Sequence, residues 1–170
     1  MTTYLVLTVI GDDKPGLVEK LAQIIAANSA NWLESSMLQI AGKFAGILQV
    51  SVAETDADQL IEALNQLSGN LKLVIEKINA ENLDESFRTL NINLIGNDRP
   101  GIIKEISRAL ASQGVNVEEL HTECVPAPMS GETLFKARAV LKVPGELDLE
   151  NLQNELEYIA DDLIVEIQFS

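Results

Sequence analysis

The chain has 170 residues, of which 46% are hydrophobic, 22% charged and only 4% aromatic, with a formal net charge of −14. That composition excludes a disordered chain, and the acidity, with no run of Lys and Arg anywhere, excludes a protein that grips a nucleic-acid backbone by itself. A single cysteine, Cys124, excludes an intrachain disulfide.

The opening residues, MTTYLVLTVIGDD, have no basic n-region and no small-residue cleavage site. Their apolar stretch is too short for a bilayer, so the expected location is a soluble, reducing compartment, the cytoplasm. Residues 3–10 alternate Leu5, Leu7 and Val9 with Tyr4, Val6 and Thr8, which predicts a strand. GDDKPG marks a turn, with Pro15 at the start of a helix whose apolar stripe is Leu17, Leu21, Ile24 and Ile25. Two strands are expected near 31–41 and 43–54, with Gly42 in the hairpin turn between them. Leu60, Leu64 and Leu67 mark a second helix, and residues 71–78 a closing strand.

The same order then repeats. Residues 5–31, LVLTVIGDDKPGLVEKLAQIIAANSAN, align with residues 90–116, LNINLIGNDRPGIIKEISRALASQGVN, at a constant offset of 85. Leu90, Ile92 and Leu94 predict a strand, and Ile102, Ile106 and Leu110 a helix. Strands follow near 116–125 and 133–143. A helix carries Leu149, Leu152, Leu156 and Ile159, and a last strand Leu163, Val165, Ile167 and Phe169. The chain is therefore expected to hold one domain over 1–79 and another over 87–170, joined by a short polar linker over 80–86. The predicted class is α+β: two tandem ferredoxin-like βαββαβ domains, each with a four-stranded antiparallel sheet and two helices on one face.

The turn before the first helix of each half carries the candidate chemistry. Gly11 relaxes the backbone, and Gly16 removes a side chain where the helix begins. The free N–H groups and partial positive charge of a helix start suit a carboxylate. Asp13 lies just upstream and suits an ammonium group. Asn31, at the start of the following strand, can donate and accept. That strand is expected to lie beside the first, so that the groups together hold both ends of a free amino acid. Gly96, Asp98, Gly101 and Asn116 repeat the set. A plainer reading stays open for each pair, with the Asp as a helix cap and the Asn as a turn residue.

GDDKPGLV and GNDRPGII resemble the signature of the ACT domain family, the small regulatory domains of amino-acid metabolism. The resemblance implies the βαββαβ fold and amino-acid binding at interfaces between domains, and it is compatible with a homo-oligomer. In the serine-binding members an Asn before Arg-Pro-Gly and a second Asn eighteen residues later contact the ligand. Those positions fall on Asp13 and Asn31 and on Asp98 and Asn116, with Asp in place of the first Asn. A His two residues earlier in those members is Gly11 or Gly96 here, which implies a different ligand or none. Two tandem units with the segment PAPMSGETLF at 126–135 resemble the glycine cleavage system transcriptional repressor family of bacteria. Pro126, Pro128 and Gly131 of that segment have no counterpart in the first half. That second resemblance implies a regulator of transcription that binds a small amino acid, glycine first, and works through a DNA-binding activator protein. The alternative is an amino-acid-binding effector subunit docked on a metabolic enzyme.

Other residues have blander readings. His121, the only histidine, has no Cys/His cluster around it and reads as a strand-surface residue, with no metal site expected. Cys124 lies three residues on, across the strand, and reads as a half-buried small residue. Trp32 reads as core, or as a ligand contact beside Asn31. Met129 is a loop anchor or a partner contact. The acidic set Glu150, Glu155, Glu157, Asp161 and Asp162 reads as a solvated face or a surface for a basic partner. No nucleophile elbow, Walker loop or GxGxxG appears, so neither catalysis nor a cofactor is expected. RNA binding on this fold needs aromatics on the central strands, and acylphosphatase-like chemistry needs an arginine in the phosphate loop, for which Arg99 is the sole candidate and is matched only by Lys14. The charge alone generates one prediction: an electrophoretic shift assay with the purified chain at physiological salt should show no tight, sequence-specific DNA complex.

Overall fold

The computed structural model describes residues 1–67, 69, 71–79 and 86–169. The chain divides into two compact units, Met1–Asn82 and Leu83–Ser170. Unit 1 runs β1 (Thr2–Asp12), α1 (Leu17–Ala27), β2 (Asn31–Ile40), β3 (Lys43–Ala53), α2 (Ala57–Asn65) and β4 (Leu71–Ile78). Unit 2 runs β5 (Phe87–Asn97), α3 (Ile102–Ser112), β6 (Asn116–Pro126), β7 (Thr133–Pro144), α4 (Leu149–Glu157) and β8 (Ile164–Phe169). Each is a βαββαβ unit with an antiparallel four-stranded sheet, ordered β2-β3-β1-β4 and β6-β7-β5-β8. Of the expected linker over 80–86, residues 80–85 lie outside the described residues.

Alternation decides which face of each sheet is buried. Leu5, Leu7 and Val9 of β1 stand beside Val50, Leu48 and Gly46 of β3, and the apolar members of that row are closed off from solvent. Leu17, Leu21 and Ile25 of α1 and Ala57, Leu60 and Leu64 of α2 complete the core over them. In unit 2, Leu90, Ile92 and Leu94 of β5 pack with Leu141 and the two alanines Ala139 and Ala137 of β7, under Ile102, Ile106 and Leu110 of α3 and Leu152 and Leu156 of α4. No side-chain polar or charged residue is buried among the described residues. The two cores are therefore held by apolar burial alone, at about 25 cal/mol per Å².

Several local features depart from the sequence expectations. β1 continues through Gly11 and Asp12, so the turn is confined to residues 13–16. Pro15 does not open the helix; Gly16 is the cap residue, in the left-handed region at φ 89°, and Gly101 repeats this at φ 86°. Leu67 and Ile159 lie just past the ends of α2 and α4, not within them. The edge strands β2 and β6 each carry a bulge, between Trp32 and Glu34 and between Val117 and Glu119, which the alternation pattern did not anticipate. The β2–β3 hairpin turns on Ala41 and Gly42, both at positive φ, as a two-residue hairpin requires.

The faces away from the helices are not alike. In unit 1 that face shows Ile10, Leu38, Ile47 and Val74, each between 43% and 57% exposed. The matching positions of unit 2 carry Ile95, Glu123, Arg138 and Glu166. A test separates the two environments in unit 1. Leu7→Ala, at a fully closed site, should cost about 2–5 kcal/mol in urea unfolding. Leu38→Ala, on the open face, should stay within about 0.5 kcal/mol of wild type.

Candidate functional site

The loop from β1 to α1 is tied to the β2–β3 hairpin by one backbone bond, Asp13 N–H to Gly42 O at 2.9 Å. In unit 2 the matching bond runs from Asp98 N–H to Thr133 O at 2.8 Å. Asp13, Gly16, Asp98 and Gly101 are all exposed at these sheet ends. Neither aspartate caps its helix: α1 and α3 begin with no side-chain hydrogen bond to their first turn. By contrast, α4 is capped by Asp148, whose carboxylate accepts from Glu150 N and Asn151 N. The cap reading of Asp13 and Asp98 therefore fails. Each helix start keeps unfilled N–H donors beside a carboxylate.

The glycines divide by role. A Cβ at Gly101 meets nothing within 4 Å, and one at Gly16 meets only the far end of Glu19 at 4.0 Å. Their positive φ alone demands glycine, and the space over them is open. Gly96 is different: it is buried, and a Cβ there would lie 3.1 Å from Leu163 Cδ1, so its size serves the packing of the segment that leads into β8. Gly11 is half-buried and lines a depression of about 660 Å³ with Asp12, Lys43 and Lys72.

The structure does not bring the predicted Asp and Asn together within a unit. β3 lies between β1 and β2, which corrects the expectation that the strand of Asn31 neighbours the first strand. Asn31 pairs with Ser51, which pairs with Tyr4, whereas Asp12 pairs with Lys43. Eight residues of strand, about 27 Å, separate the level of Asn31 from the turn that holds Asp13. Asn116 stands level with Thr89 through Lys142, so the same gap separates it from Asp98. Both asparagines are exposed on edge strands.

Other side chains at these ends were not legible as partners beforehand. Arg99 pairs with Glu105 and also donates to Ile159 O at 3.1 Å, tying the loop to the end of α4. Glu105 is held below the usual carboxylate range, first by the hydrogen bond from Arg99. Asp162, read earlier as part of a solvated acidic face, accepts from Asn97 N–H at 2.7 Å and fixes the end of β5. Asp12 pairs with Lys43, whose hydrogen bond and charge hold its carboxyl low. Cys124 is exposed, not half-buried. Partial loss of water around its sulfur, then the charge of Asp98 and a hydrogen bond to it, push the thiol up, so it is a poor nucleophile at neutral pH. Trp32 packs against the core of unit 1 and donates to Ser35 Oγ at 3.1 Å. Met129 is fully exposed, at φ 73°, in a turn closed by Ala127 N–H to Glu132 O at 2.7 Å; it anchors nothing in its own loop. No helix among the described residues is long and apolar enough to cross a membrane.

Comparison with known proteins now bears on this geometry. The ACT domain model matches residues 3–77, and a second ACT domain model matches residues 90–161. The chain belongs to the ACT domain family. Its two ACT units are of a kind that serves as small-molecule-binding regulatory modules and typically takes amino acids. Among solved structures, an unknown protein from Galdieria sulphuraria is similar over 100% of this chain and 99% of its own, at 26% identity and a TM-score of 0.89. A candidate glycine cleavage system transcriptional repressor is similar over 100% of this chain and 99% of its own, at 15% identity and a TM-score of 0.71, which is a likeness of fold. No curated protein matches the chain.

The Arg99–Glu105 pair yields a pH test. The Glu105 carboxyl is depressed in the folded state, so its contribution is present above the unfolded-state value and is lost as pH falls through the folded one. The melting-temperature gap between wild type and Glu105→Gln should be open at pH 7 and should close as pH drops below the usual carboxylate range. A gap unchanged at pH 3 would place the effect elsewhere.

Proposed function

We propose that this chain is an amino-acid-responsive regulator of transcription that controls glycine cleavage genes through a DNA-binding protein partner. In this reading it does not bind DNA itself, catalyses no reaction and acts in the cytoplasm. The observation that carries the sensing part is the duplicated helix start. In both ACT units a glycine at positive φ opens a helix that no side chain caps, and an exposed aspartate stands just upstream. The helix N–H groups suit the carboxylate of an amino acid, and Asp13 or Asp98 suits its ammonium. Open space over Gly16 and Gly101 leaves the helix starts accessible to a ligand, and glycine is the first candidate on the resemblance to the glycine cleavage repressor family alone.

Asn31 and Asn116 stand too far from the aspartate of their own unit to touch the same ligand. We therefore assign them to a ligand held by a second copy of the chain, which makes the active regulator a homo-oligomer. The net charge of −14 supports delegation of DNA contact to a partner.

The experiment is a thermal melt against each of the twenty amino acids, followed by affinity capture from native extract. A ligand at about 100 times its dissociation constant should stabilise the fold by about 2.7 kcal/mol. Asp13→Ala and Asp98→Ala should each remove part of that shift while leaving the unliganded melting temperature unchanged. Asn31→Ala and Asn116→Ala should do the same and should also reduce ligand-dependent association in sedimentation. Capture should recover a transcription factor; recovery of a biosynthetic enzyme instead supports the effector-subunit alternative. If no amino acid moves the melting temperature, the sensing reading falls.

A further inference from the structure

The open sheet face of unit 2 carries a feature that the amino-acid site does not use. On the inner strand β3 of unit 1 the outward position at the hairpin is Lys43, paired with Asp12, and the next two are Ala45 and Ile47, paired with Ile10 and Thr8 of β1. The matching positions of unit 2, paired with Ile95 and Asn93 of β5, are Lys136 and Arg138. The same backbone plan therefore forms with apolar residues there, so the fold does not require the two cations. They sit two residues apart on one face of one strand, about 7 Å along it. His121 is directly across from Arg138, and Glu123 directly across from Lys136. The ion pairs formed by described residues are Lys43–Asp12, Lys77–Asp58 and Arg99–Glu105, so neither Lys136 nor Arg138 reaches a carboxylate within 4.0 Å. The two cations line a depression of about 520 Å³ with Asn93, His121, Glu123 and Glu166. A second depression, of about 370 Å³, shares Asn93, His121 and Arg138 with it.

We infer that this face is a binding site for a small dicarboxylate, with Arg138 taking one carboxylate and Lys136 the other. The arginine fork presents paired N–H groups to a carboxylate, and the lysine a mobile point charge. Asn93, beside Arg138, adds an amide that donates to the same end. Glu123 and Glu166 line the same depression and offset the two cations, so binding rests on direct contact with Arg138 and Lys136, and any negative group without such a contact is opposed. A ligand with two negative charges at a short spacing is accepted, whereas a polyphosphate or nucleic-acid strand is opposed there and by the charge of the whole chain. This site lies on the sheet face of unit 2, apart from the helix starts used by the amino-acid reading, and it stands or falls independently of that reading.

Isothermal titration of the full chain with succinate tests it, with propionate and inorganic phosphate as comparison probes and amide spectra to locate the response. Succinate should bind saturably, propionate and phosphate about tenfold or more weakly, and the amide shifts should centre on β5, β6 and β7. Arg138→Gln and Lys136→Gln should each weaken succinate about tenfold, a loss expected for one charge-assisted contact. Arg138 is exposed, so its variant should keep the wild-type melting temperature and carries the test even if the half-buried Lys136 tolerates change poorly. Asp13→Ala and Asp98→Ala should leave succinate binding as it was. The assignment is overturned if wild type shows no saturable succinate binding, if phosphate or propionate binds as tightly, or if Arg138→Gln binds as wild type does.

Discussion

Each unit depends on the contact between one row of strand side chains and two helices. In unit 1 that row is Leu5, Leu7 and Val9, with Leu48 and Val50 beside it, under Leu21 and Leu64. Burial of these groups supplies the main free energy for ordering two helices and four strands, because no buried polar or charged side chain is present among the described residues to share it. Everything else in the unit inherits its position from that row. The helices are drawn onto one face, the turn residues Asp13 to Gly16 are forced to the end of the central strand, and the opposite face is left without cover.

The forced turn explains why both copies keep glycine where the helix begins. The chain must leave a strand and enter a helix within four residues, and it does so through a left-handed residue, at Gly16 and again at Gly101. A residue with a Cβ pays strain there whatever the surrounding space. A side-chain cap is absent at the same two helix starts and present at α4, where the chain enters through the extended conformation of Asp148 instead. At α1 and α3 the left-handed entry sets the need for glycine, and a glycine offers no side chain to cap the helix N–H groups; α2 also starts uncapped, at Asp56.

Much of this was legible in the sequence for a simple reason. A period of two in Leu5, Leu7, Val9 and a helical stripe in Leu17, Leu21 and Ile25 report burial directly, and burial made these elements. The repeat then let each half check the other. What was not legible depends on three-dimensional adjacency. Helix α1 returns the chain to the Tyr4 end of the sheet before β2 begins, and strand order places β3 between β1 and β2; together these separate Asp13 from Asn31, although eighteen residues in sequence suggested a pair. The bulges after Trp32 and Val117 shift the edge strand by one residue, which alternation alone does not reveal. The structural ties of Arg99, read only as a phosphate-loop candidate, and of Asp162, read as part of a solvated acidic face, were hidden because their acceptor and donor, Ile159 O and Asn97 N–H, are backbone groups some sixty residues away.

The open faces follow a different logic from the cores. A duplicated core must keep its apolar pattern, since loss of one large side chain there costs a substantial part of a domain's marginal stability. A duplicated open face is under no such demand, and the two have separated in chemistry. Ile10, Ile47 and Val74 face outward in unit 1, while Arg138, His121 and Glu166 occupy the corresponding sheet in unit 2. The helix starts have not separated in this way: Asp-Lys-Pro-Gly and Asp-Arg-Pro-Gly remain, with the same backbone conformation. Two kinds of surface therefore coexist on one repeated frame. One is repeated because the same left-handed turn demands glycine in both copies, and the other is free to differ because the core beneath it does not constrain which side chains face outward.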